Sequence, residues 1–330
     1  MLIDMFPAEL GRRLVDVSAF RPVPGGAPAN VAVAARRLGA ASAFIGKVGD
    51  DAFGQLLIDT LCADGVETRG MRVDPAARTT LVFIAMPDAT SAEFVFYRNP
   101  GADMMLRPDE LDEALLREAR ILHFGSISLI AEPSRSATLR AIELAHEAGA
   151  LISFDVNYRP SLWPTAQAAV AAIRAVLPLA HLVKVNEAEA FLLTSSNDPP
   201  AVGAVLITGE TRACVITQGA AGSTLCVRQG SDRFVEFIPA FPIEAVDAIG
   251  CGDAFMAGLL TCLTTGDEPG GPLERLNGLS LRRSLRYAAA VGALTALQHG
   301  VIPALPTAAQ VEAFLSNSYP HDGNYSQRGN

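Results

Sequence analysis

Short apolar runs alternate with helical patterns through the second half of the chain. Four runs predict strands, at residues 121–124, 151–155, 182–185 and 213–217. Between them, residues 133–148 and 187–193 repeat apolar side chains at helical spacing. This alternation predicts right-handed strand–helix–strand units and a parallel sheet covered by helices on both faces.

The first hundred residues predict a different arrangement. Leu2-Ile3-Asp4 has the pattern of the end of a buried central strand whose first half is missing. A helix is predicted at 28–38, a strand at 42–48 and a second helix at 51–64, the two helices ending at Gly39 and Gly65. Two β-rich runs, 79–85 and 93–97, flank a polar turn at 87–89 and predict a hairpin.

We therefore expect one α/β domain over residues 1–318 and a flexible tail at 319–330. A small β appendage is predicted from about 11–24 and 79–98. Ligands of open parallel sheets bind beyond the carboxyl ends of the strands, so a β flap there would act as a lid.

Composition narrows the choice of partners. Apolar residues make up 50% of the 330 positions and charged residues 18%, which fits a large buried core. The net charge of −9 leaves no summed positive field for nucleic acid or anionic lipid. The five cysteines are scattered, no apolar run is long enough for a membrane span, and no signal-peptide pattern begins the chain. We expect a cytoplasmic protein without nucleic-acid or membrane partners.

The strongest chemical motif is residues 247–255, which read DAIGCGDAF and precede a helical run. Glycines before a helix expose unpaired N–H groups at its positive end, which suits the charge of a transferring phosphoryl group. Asp253 is placed to take a proton from an attacking hydroxyl. Taken alone, the same aspartate is equally explained as a helix N-cap.

Four other polar segments are candidates for binding, namely 25–30 (GGAPAN), 155–159 (DVNYR), 184–189 (KVNEAE) and 217–222 (TQGAAG). Asn30 offers a donor and an acceptor to sugar hydroxyls, and Asn186 with Glu189 could orient a hydrated Mg²⁺. Individually, each segment is also explained by a turn, a cap, a solvated acidic face or a hairpin. The chain has no P-loop, protein-kinase motif, G-x-S-x-G elbow or dinucleotide fingerprint.

In order and spacing, these segments resemble the ribokinase-like, or PfkB, carbohydrate kinases from Asp4 to about Leu305. Residues 247–255 are similar to the C-terminal motif of that family, and residues 25–30 with 46–54 are similar to its N-terminal motif. Residues 184–189 carry the family's N-x-x-E element. The resemblance implies a three-layer α/β/α fold with a mostly parallel central sheet and a small β lid. It also implies ATP and Mg²⁺ as cofactors, K⁺ at a cation site, and a homodimer formed through the lid.

The resemblance assigns a role to each site residue. It implies Asp253 as catalytic base, with the backbone of Gly250, Cys251 and Gly252 as anion hole. The implied sugar contacts are Asp4, Gly26, Asn30, Tyr97, Arg98 and Arg159. The implied nucleotide or Mg²⁺ positions are Lys184, Asn186, Glu189, Thr217, Gly219 and Gly222. The implied monovalent-cation site consists of Asp247, Ile249, Ala290 and Gly300.

Within the family the chain looks most like fructokinases, through residues 26–32, 96–103, 123–129 and 155–159 with 162–164. D-Fructose, phosphorylated at its 6-hydroxyl, is therefore the expected acceptor. Kinases for 2-keto-3-deoxygluconate and for ribosides share several of these residues, and Arg98 with Arg159 could clamp a carboxylate. A non-catalytic interaction protein that retains the fold is the alternative from another class.

Three departures from the family pattern lead to expectations. Cys251 replaces the usual alanine and introduces a thiol that could be oxidised. Ala248 and Ile249 replace two threonines and remove hydroxyls beside the cation site, so K⁺ dependence is doubtful. Finally, the residues that normally precede Leu2 are absent, a mis-called start being one explanation, and restoring that strand is expected to stabilise the protein.

Overall fold

The computed structural model describes residues 1–87, 93–230, 232–266 and 270–318. Most of the turn predicted for the hairpin, residues 88 and 89, and the predicted tail at 319–330 lie outside these residues. Among the described residues, no helix combines the length and the apolar character that crossing a bilayer requires.

The structure contains strands and helices in mixed order. The strands are β1 (Leu2–Pro7), β2 (Phe20–Gly25), β3 (Gly46–Gly49), β4 (Met71–Asp74), β5 (Leu81–Ala85), β6 (Glu93–Tyr97), β7 (Ile121–Gly125), β8 (Leu151–Asp155), β9 (Leu182–Asn186), β10 (Ala213–Thr217), β11 (Gly222–Gln229) and β12 (Asp232–Pro239). The helices are α1 (Ala27–Arg37), α2 (Ala52–Ala63), α3 (Glu113–Glu118), α4 (Ser134–Glu147), α5 (Ala166–Val176), α6 (Glu187–Thr194), α7 (Pro199–Leu206), α8 (Cys251–Thr265), α9 (Gly278–Thr295) and α10 (Ala308–Ser318).

The main sheet has six strands in the order β12-β11-β10-β9-β8-β7. Strands β7 to β10 are parallel, and β11 and β12 add an antiparallel edge. Successive residues of β8 point to opposite faces, so Leu151 packs in a core with α1, α8 and α9, whereas Ile152 packs in a second core with α5 and α6. The predicted parallel sheet with helices on both faces is confirmed.

The strands of the predicted lid belong to a second sheet, in the order β2-β1-β5-β6. The predicted hairpin is confirmed, since β5 and β6 pair antiparallel. Leu2-Ile3-Asp4 lies in β1, which pairs with β2 and β5 and not with a strand of the main sheet. Leu2 packs there against Val82 and Ile84. Of the predicted lid segment 11–24, only residues 20–24 lie in a strand, because a short 3₁₀ helix occupies residues 14–16.

Strands β3 and β4 pair only with each other, apart from the main sheet. The predicted strand 42–48 is correspondingly shorter and begins at Gly46. Within the described residues, β3 and β7 each have one edge without a partner strand, and residues 44–47 and 121–125 line the same cleft. We call this part of the cleft the strand slot. The α-amino group of Met1 borders it, and burial lowers the pKa of that amine.

Candidate active site

Two helix N-termini that are far apart in sequence meet at the centre of the cleft. Helix α1 follows Gly26 and helix α8 follows Gly250, and both glycines have positive φ, +104° and +79°. The Asn30 side chain of α1 donates a hydrogen bond from Nδ2 to Oδ2 of Asp253 in the first turn of α8, at 2.7 Å. The turn at 25–30 and the proposed base are therefore in direct contact across 223 positions of the chain.

Asp253 is not the N-cap of its helix. The N-cap is Gly250, which has no side chain to cap with, and Asp253 lies three residues further on and lines the cleft. Burial raises the pKa of Asp253, while the Asn30 hydrogen bond opposes that rise. A buried carboxylate with a raised pKa is suited to act as a general base near neutral pH.

The residues of the predicted anion hole lie at the start of α8. Gly250, Cys251 and Gly252 all line the cleft, and the first N–H groups of a helix have no acceptor within that helix. A Cβ on Gly250 would collide with the Val301 side chain, and a Cβ on Gly252 would lie 3.2 Å from Nζ of Lys184. Burial raises the pKa of the Cys251 thiol to about 12, which disfavours the thiolate form that reacts with oxidants.

A buried cluster of charges supports this turn from the main sheet. Nζ of Lys184 on β9 donates to Oδ2 of Asp155 at the end of β8, at 2.8 Å. Burial favours the neutral amine, but Asp155, Glu189 and Asp253 raise the pKa of Lys184 above its usual value. Oδ1 of Asp155 is buried and has no protein hydrogen-bond partner. The cluster thus presents a fixed ammonium and an unused carboxylate oxygen close to the anion hole.

Glu189 does not face the cleft as predicted. Its side chain is buried, and its two oxygens accept the backbone N–H groups of Tyr158 and Asn186, at 2.7 and 2.9 Å. Asn186 in turn accepts the N–H of Glu189, so the capping explanation holds for this pair. Glu189 therefore joins the 155–159 loop to the start of α6, while Asn186 and Glu187 line the cleft.

Most of the predicted sugar contacts surround the Asn30–Asp253 pair. Asp4, Gly26, Arg98 and Arg159 all line the cleft. Burial, followed by the charge of Asp253, raises the pKa of Asp4 to about 7, and the guanidinium of Arg159 opposes the rise.

Two residues of the lid differ from the prediction. Tyr97 is 64% exposed and does not line the cleft, because neighbouring strand residues point to opposite faces and Phe96 takes the inner one. Arg98 is buried, and its Nε and Nη2 both contact Oδ2 of Asp103, at 2.8 and 2.7 Å. The sequence analysis included Asp103 in the stretch 96–103 but gave it no role in the site, although it lies only five positions after Arg98.

The nucleotide side of the cleft contains the remaining predicted positions. Lys184, Thr217, Gly219 and Gly222 line it, at the ends of β9 and β10 and in the turn that follows. This arrangement matches the rule that ligands bind beyond the carboxyl ends of parallel strands.

The predicted cation site has a different set of contacts. Buried Asp247 accepts the N–H groups of Ile249 and Gly300, at 2.9 and 3.2 Å, and Nδ1 of His299 lies 3.8 Å from its Oδ2. Ala290 is buried within α9 and does not line the cleft. Each oxygen of the Asp247 carboxylate therefore accepts one backbone N–H group. Sequence analysis missed His299.

The whole chain is similar to known sugar kinases. Residues 1–308 match the family described as pfkB family carbohydrate kinase. A probable fructokinase-4 of Arabidopsis thaliana is 43% identical over 321 residues, covering 96% of this chain and 95% of the relative. Fructokinase-2 of Solanum lycopersicum is 41% identical over 316 residues, covering 96% of this chain and 94% of the relative.

Solved structures give the same result. A fructokinase from Xylella fastidiosa with bound ATP has a TM-score of 0.86 and 33% identity, with 96% of each chain covered. A fructokinase from Vibrio cholerae O395, bound to fructose, ADP and calcium, has a TM-score of 0.82 and 31% identity, covering 95% of this chain and 96% of that one. The match over residues 1–308 and these relatives show that the chain belongs to the pfkB family of carbohydrate kinases.

Proposed function

We propose that this protein transfers the γ-phosphoryl group of ATP to the 6-hydroxyl of D-fructose. The observation that carries the proposal is the contact between Asn30 and Asp253, which joins the sugar side of the cleft to the tip of α8. An acceptor hydroxyl held by Asn30 would lie beside the carboxylate that removes its proton. The anion hole lies within the same helical turn.

The charges on the sugar side favour a neutral acceptor. A 2-keto-3-deoxygluconate kinase would need cations for the substrate carboxylate. Arg98 is already neutralised by Asp103, whereas Asp4 and Asp253 place two carboxyl groups in the same space. Arg159 alone does not outweigh them, so a neutral ketohexose fits better than a sugar acid. The similarity to fructokinases supports the same choice.

The geometry supports an in-line transfer. Asp253 accepts the proton of the attacking hydroxyl, and the N–H groups at 250–252 stabilise the charge on the equatorial oxygens of the phosphoryl group. The ammonium of Lys184, held by Asp155, adds positive charge next to Gly252. Because these groups are present and line the cleft, a non-catalytic role is not favoured.

Mg²⁺ and a homodimer are also part of the proposal. Asn186 and Glu187 line the cleft at the start of α6 and offer amide and carboxylate oxygens, the ligand type that Mg²⁺ prefers, so the site fits this ion. Bound Mg²⁺ would neutralise phosphate charge.

On the edge strand β6 of the lid, Val95 and Tyr97 are 42% and 64% exposed, which supports pairing of two lids. Sedimentation of a Tyr97→Asp variant as a monomer would support that pairing, and an unchanged mass would contradict it.

The test of the proposed reaction combines a sugar panel with an isosteric variant. Wild-type protein, ATP and Mg²⁺ are assayed for ADP release with fructose, 2-keto-3-deoxygluconate and a riboside. Asp253→Asn should lower kcat by about 10²- to 10⁴-fold, while fructose binding measured by calorimetry is retained. The exposed Asp109→Asn serves as a matched control and should retain full activity. Absence of fructose-dependent ADP release, or turnover of Asp253→Asn within about tenfold of wild type, would refute the proposal.

A further inference from the structure

The loop between β8 and Arg159 is held by β9 and α6. The N–H of Val156 donates to the carbonyl oxygen of Lys184 on β9, at 3.0 Å. The N–H of Tyr158 donates to Oε1 of Glu189 on α6, at 2.7 Å. Arg159 precedes a proline, which restricts its backbone to extended conformations, and its φ of −120° and ψ of 96° agree with this. The loop is therefore fixed on both sides of the residue between Val156 and Tyr158.

That residue, Asn157, has a left-handed backbone conformation. Its φ is +41°, and among the described residues the other non-glycine residue with a positive φ is Ser195. Asparagine is one of the few residue types that tolerate this conformation, whereas a β-branched residue is strongly disfavoured there. Asn157 also lines the cleft. An unusual backbone conformation beside a ligand site is a reason to look for a function.

The turn at residue 157 directs Arg159 into the cleft. Arg159 lines the sugar side, and its Nη1 donates to the carbonyl oxygen of Tyr158 at 3.3 Å. Burial raises the pKa values of Asp4 and Asp253, and the guanidinium of Arg159 opposes both rises because it lies close to the two carboxyl groups. An extended backbone at 157 would continue the direction of β8 and carry Arg159 away from them.

We propose that Asn157 and Glu189 are positioning residues for the acceptor sugar, because the left-handed turn at Asn157, held by Glu189, orients Arg159 toward the sugar. Asn157 contributes its backbone conformation, and Glu189 contributes the hydrogen bond that maintains it. This inference rests on the proposed kinase function and adds two residues to the sugar side of that site.

Two substitutions separate the backbone of Asn157 from its side chain. Glycine adopts the left-handed conformation readily, so Asn157→Gly should keep kcat/KM for fructose within about threefold of wild type. Asn157→Val disfavours that conformation and should lower kcat/KM about 10²-fold, mostly through a higher KM for fructose, while KM for ATP changes by less than about twofold. Equal losses in the two variants, or no loss in Asn157→Val, would overturn the inference.

Ser195→Val is the matched control for backbone strain. Ser195 has φ +57° at the end of α6, is exposed and lies outside the lining of the cleft. The variant should lose thermal stability as Asn157→Val does, but keep the wild-type KM for fructose. An equal rise in KM in both valine variants would mean that lost stability alone produces the effect, and the inference would fail.

A second background tests whether the turn acts through Arg159. Arg159→Ala should itself raise KM for fructose, and adding Asn157→Val should then change KM by less than about twofold, since the oriented group is already absent. Additive effects, or a wild-type KM in Arg159→Ala, would overturn the inference.

Glu189→Gln tests the hydrogen bond that maintains the turn. One carboxylate oxygen becomes an N–H₂ group, so the N–H groups of Tyr158 and Asn186 lose one of their two acceptors. KM for fructose should rise at every Mg²⁺ concentration. A variant whose only change is a higher Mg²⁺ requirement would overturn the inference and indicate a metal ligand. Wild-type protein without fructose-dependent ADP release would instead refute the proposed function on which the inference depends.

Discussion

Replacing Gly250 with alanine tests the anion hole most directly. Gly250 has φ +79°, a left-handed conformation that costs a residue with a Cβ about 1–2 kcal/mol. The new Cβ would collide with Cγ1 of Val301 and lie 3.1 Å from both Cβ and Cγ2 of that side chain. Overpacking of this kind costs about 1–3 kcal/mol, so the total loss of stability should be about 2–5 kcal/mol.

The clash also predicts a specific loss of activity. Relief of the contact moves the start of α8, and the loss of one anion-hole donor lowers kcat by about 10²- to 10³-fold. KM for fructose should change less, because the sugar contacts at Asn30 are on the other helix. The measurements are steady-state kinetics and thermal unfolding of the purified variant.

Two further variants separate the clash from the backbone strain. Gly149 has φ +82° and no atom within 4 Å of an added Cβ. Gly149→Ala should therefore lose only the stability that the left-handed backbone conformation costs, and retain full kcat. Val301→Ala removes both γ-carbons, so it should restore much of the activity in the double variant with Gly250→Ala. The reasoning is refuted if Gly250→Ala turns over within about twofold of wild type, or if Val301→Ala gives no rescue.

Three other expectations follow from named contacts. Asn30→Ala removes the hydrogen bond that lowers the pKa of Asp253, so that pKa should rise. Because the base must be deprotonated to act, the acid limb of the pH profile of kcat/KM should move to higher pH. An unshifted limb would contradict the role of Asp253 as the base. In Asp103→Ala, the freed Arg98 should increase the relative kcat/KM for 2-keto-3-deoxygluconate over fructose, and an unchanged ratio would show that charge does not select the acceptor. Five β-branched residues placed ahead of Met1 should fill the strand slot and raise Tm by roughly 5–10 °C over a Gly-Ser extension of the same length. Burying each side chain stabilises the fold by about 2 kcal/mol, and two rows of backbone hydrogen bonds add to that gain. Together these gains exceed the conformational entropy cost of about 1.5 kcal/mol for each ordered residue. Equal Tm values for the two extensions would exclude strand pairing in the slot.

Local signals predicted the helix starts well. The helix predicted at 51–64 is α2, Ala52–Ala63, and Asp51 caps it by accepting the N–H of Gly54. The predicted helix at 28–38 is α1, Ala27–Arg37, after a glycine turn. These signals depend on residues three or four positions apart, so the sequence alone contains them.

Strand partners were harder to predict, because pairing depends on distant residues. Leu2 and Ile3 are buried as expected, but Leu2 packs against Val82 and Ile84 of the hairpin, about eighty positions away, and Ile3 packs against Val48 and Leu57. A buried apolar run has the same pattern in a central sheet as in a lid. The same limitation applies to Tyr97, since the residues on the inner face of an edge strand are fixed only by its register.

Which acceptor the site selects depends on which of its charged side chains are paired with an opposite charge, and sequence motifs do not show that pairing. Arg98 and Arg159 both match sugar-contacting positions, and both were candidates to clamp a carboxylate. In the structure, Asp103 holds Arg98 and Asp155 holds Lys184, while Asp4 lies beside Asp253. The sugar side is therefore more acidic than its two arginines suggest, and it disfavours an anionic acceptor. Burial, with the charge of Asp155, raises the pKa of Asp253, so the buried acidic surroundings that favour a neutral sugar also give Asp253 the proton affinity that a base requires.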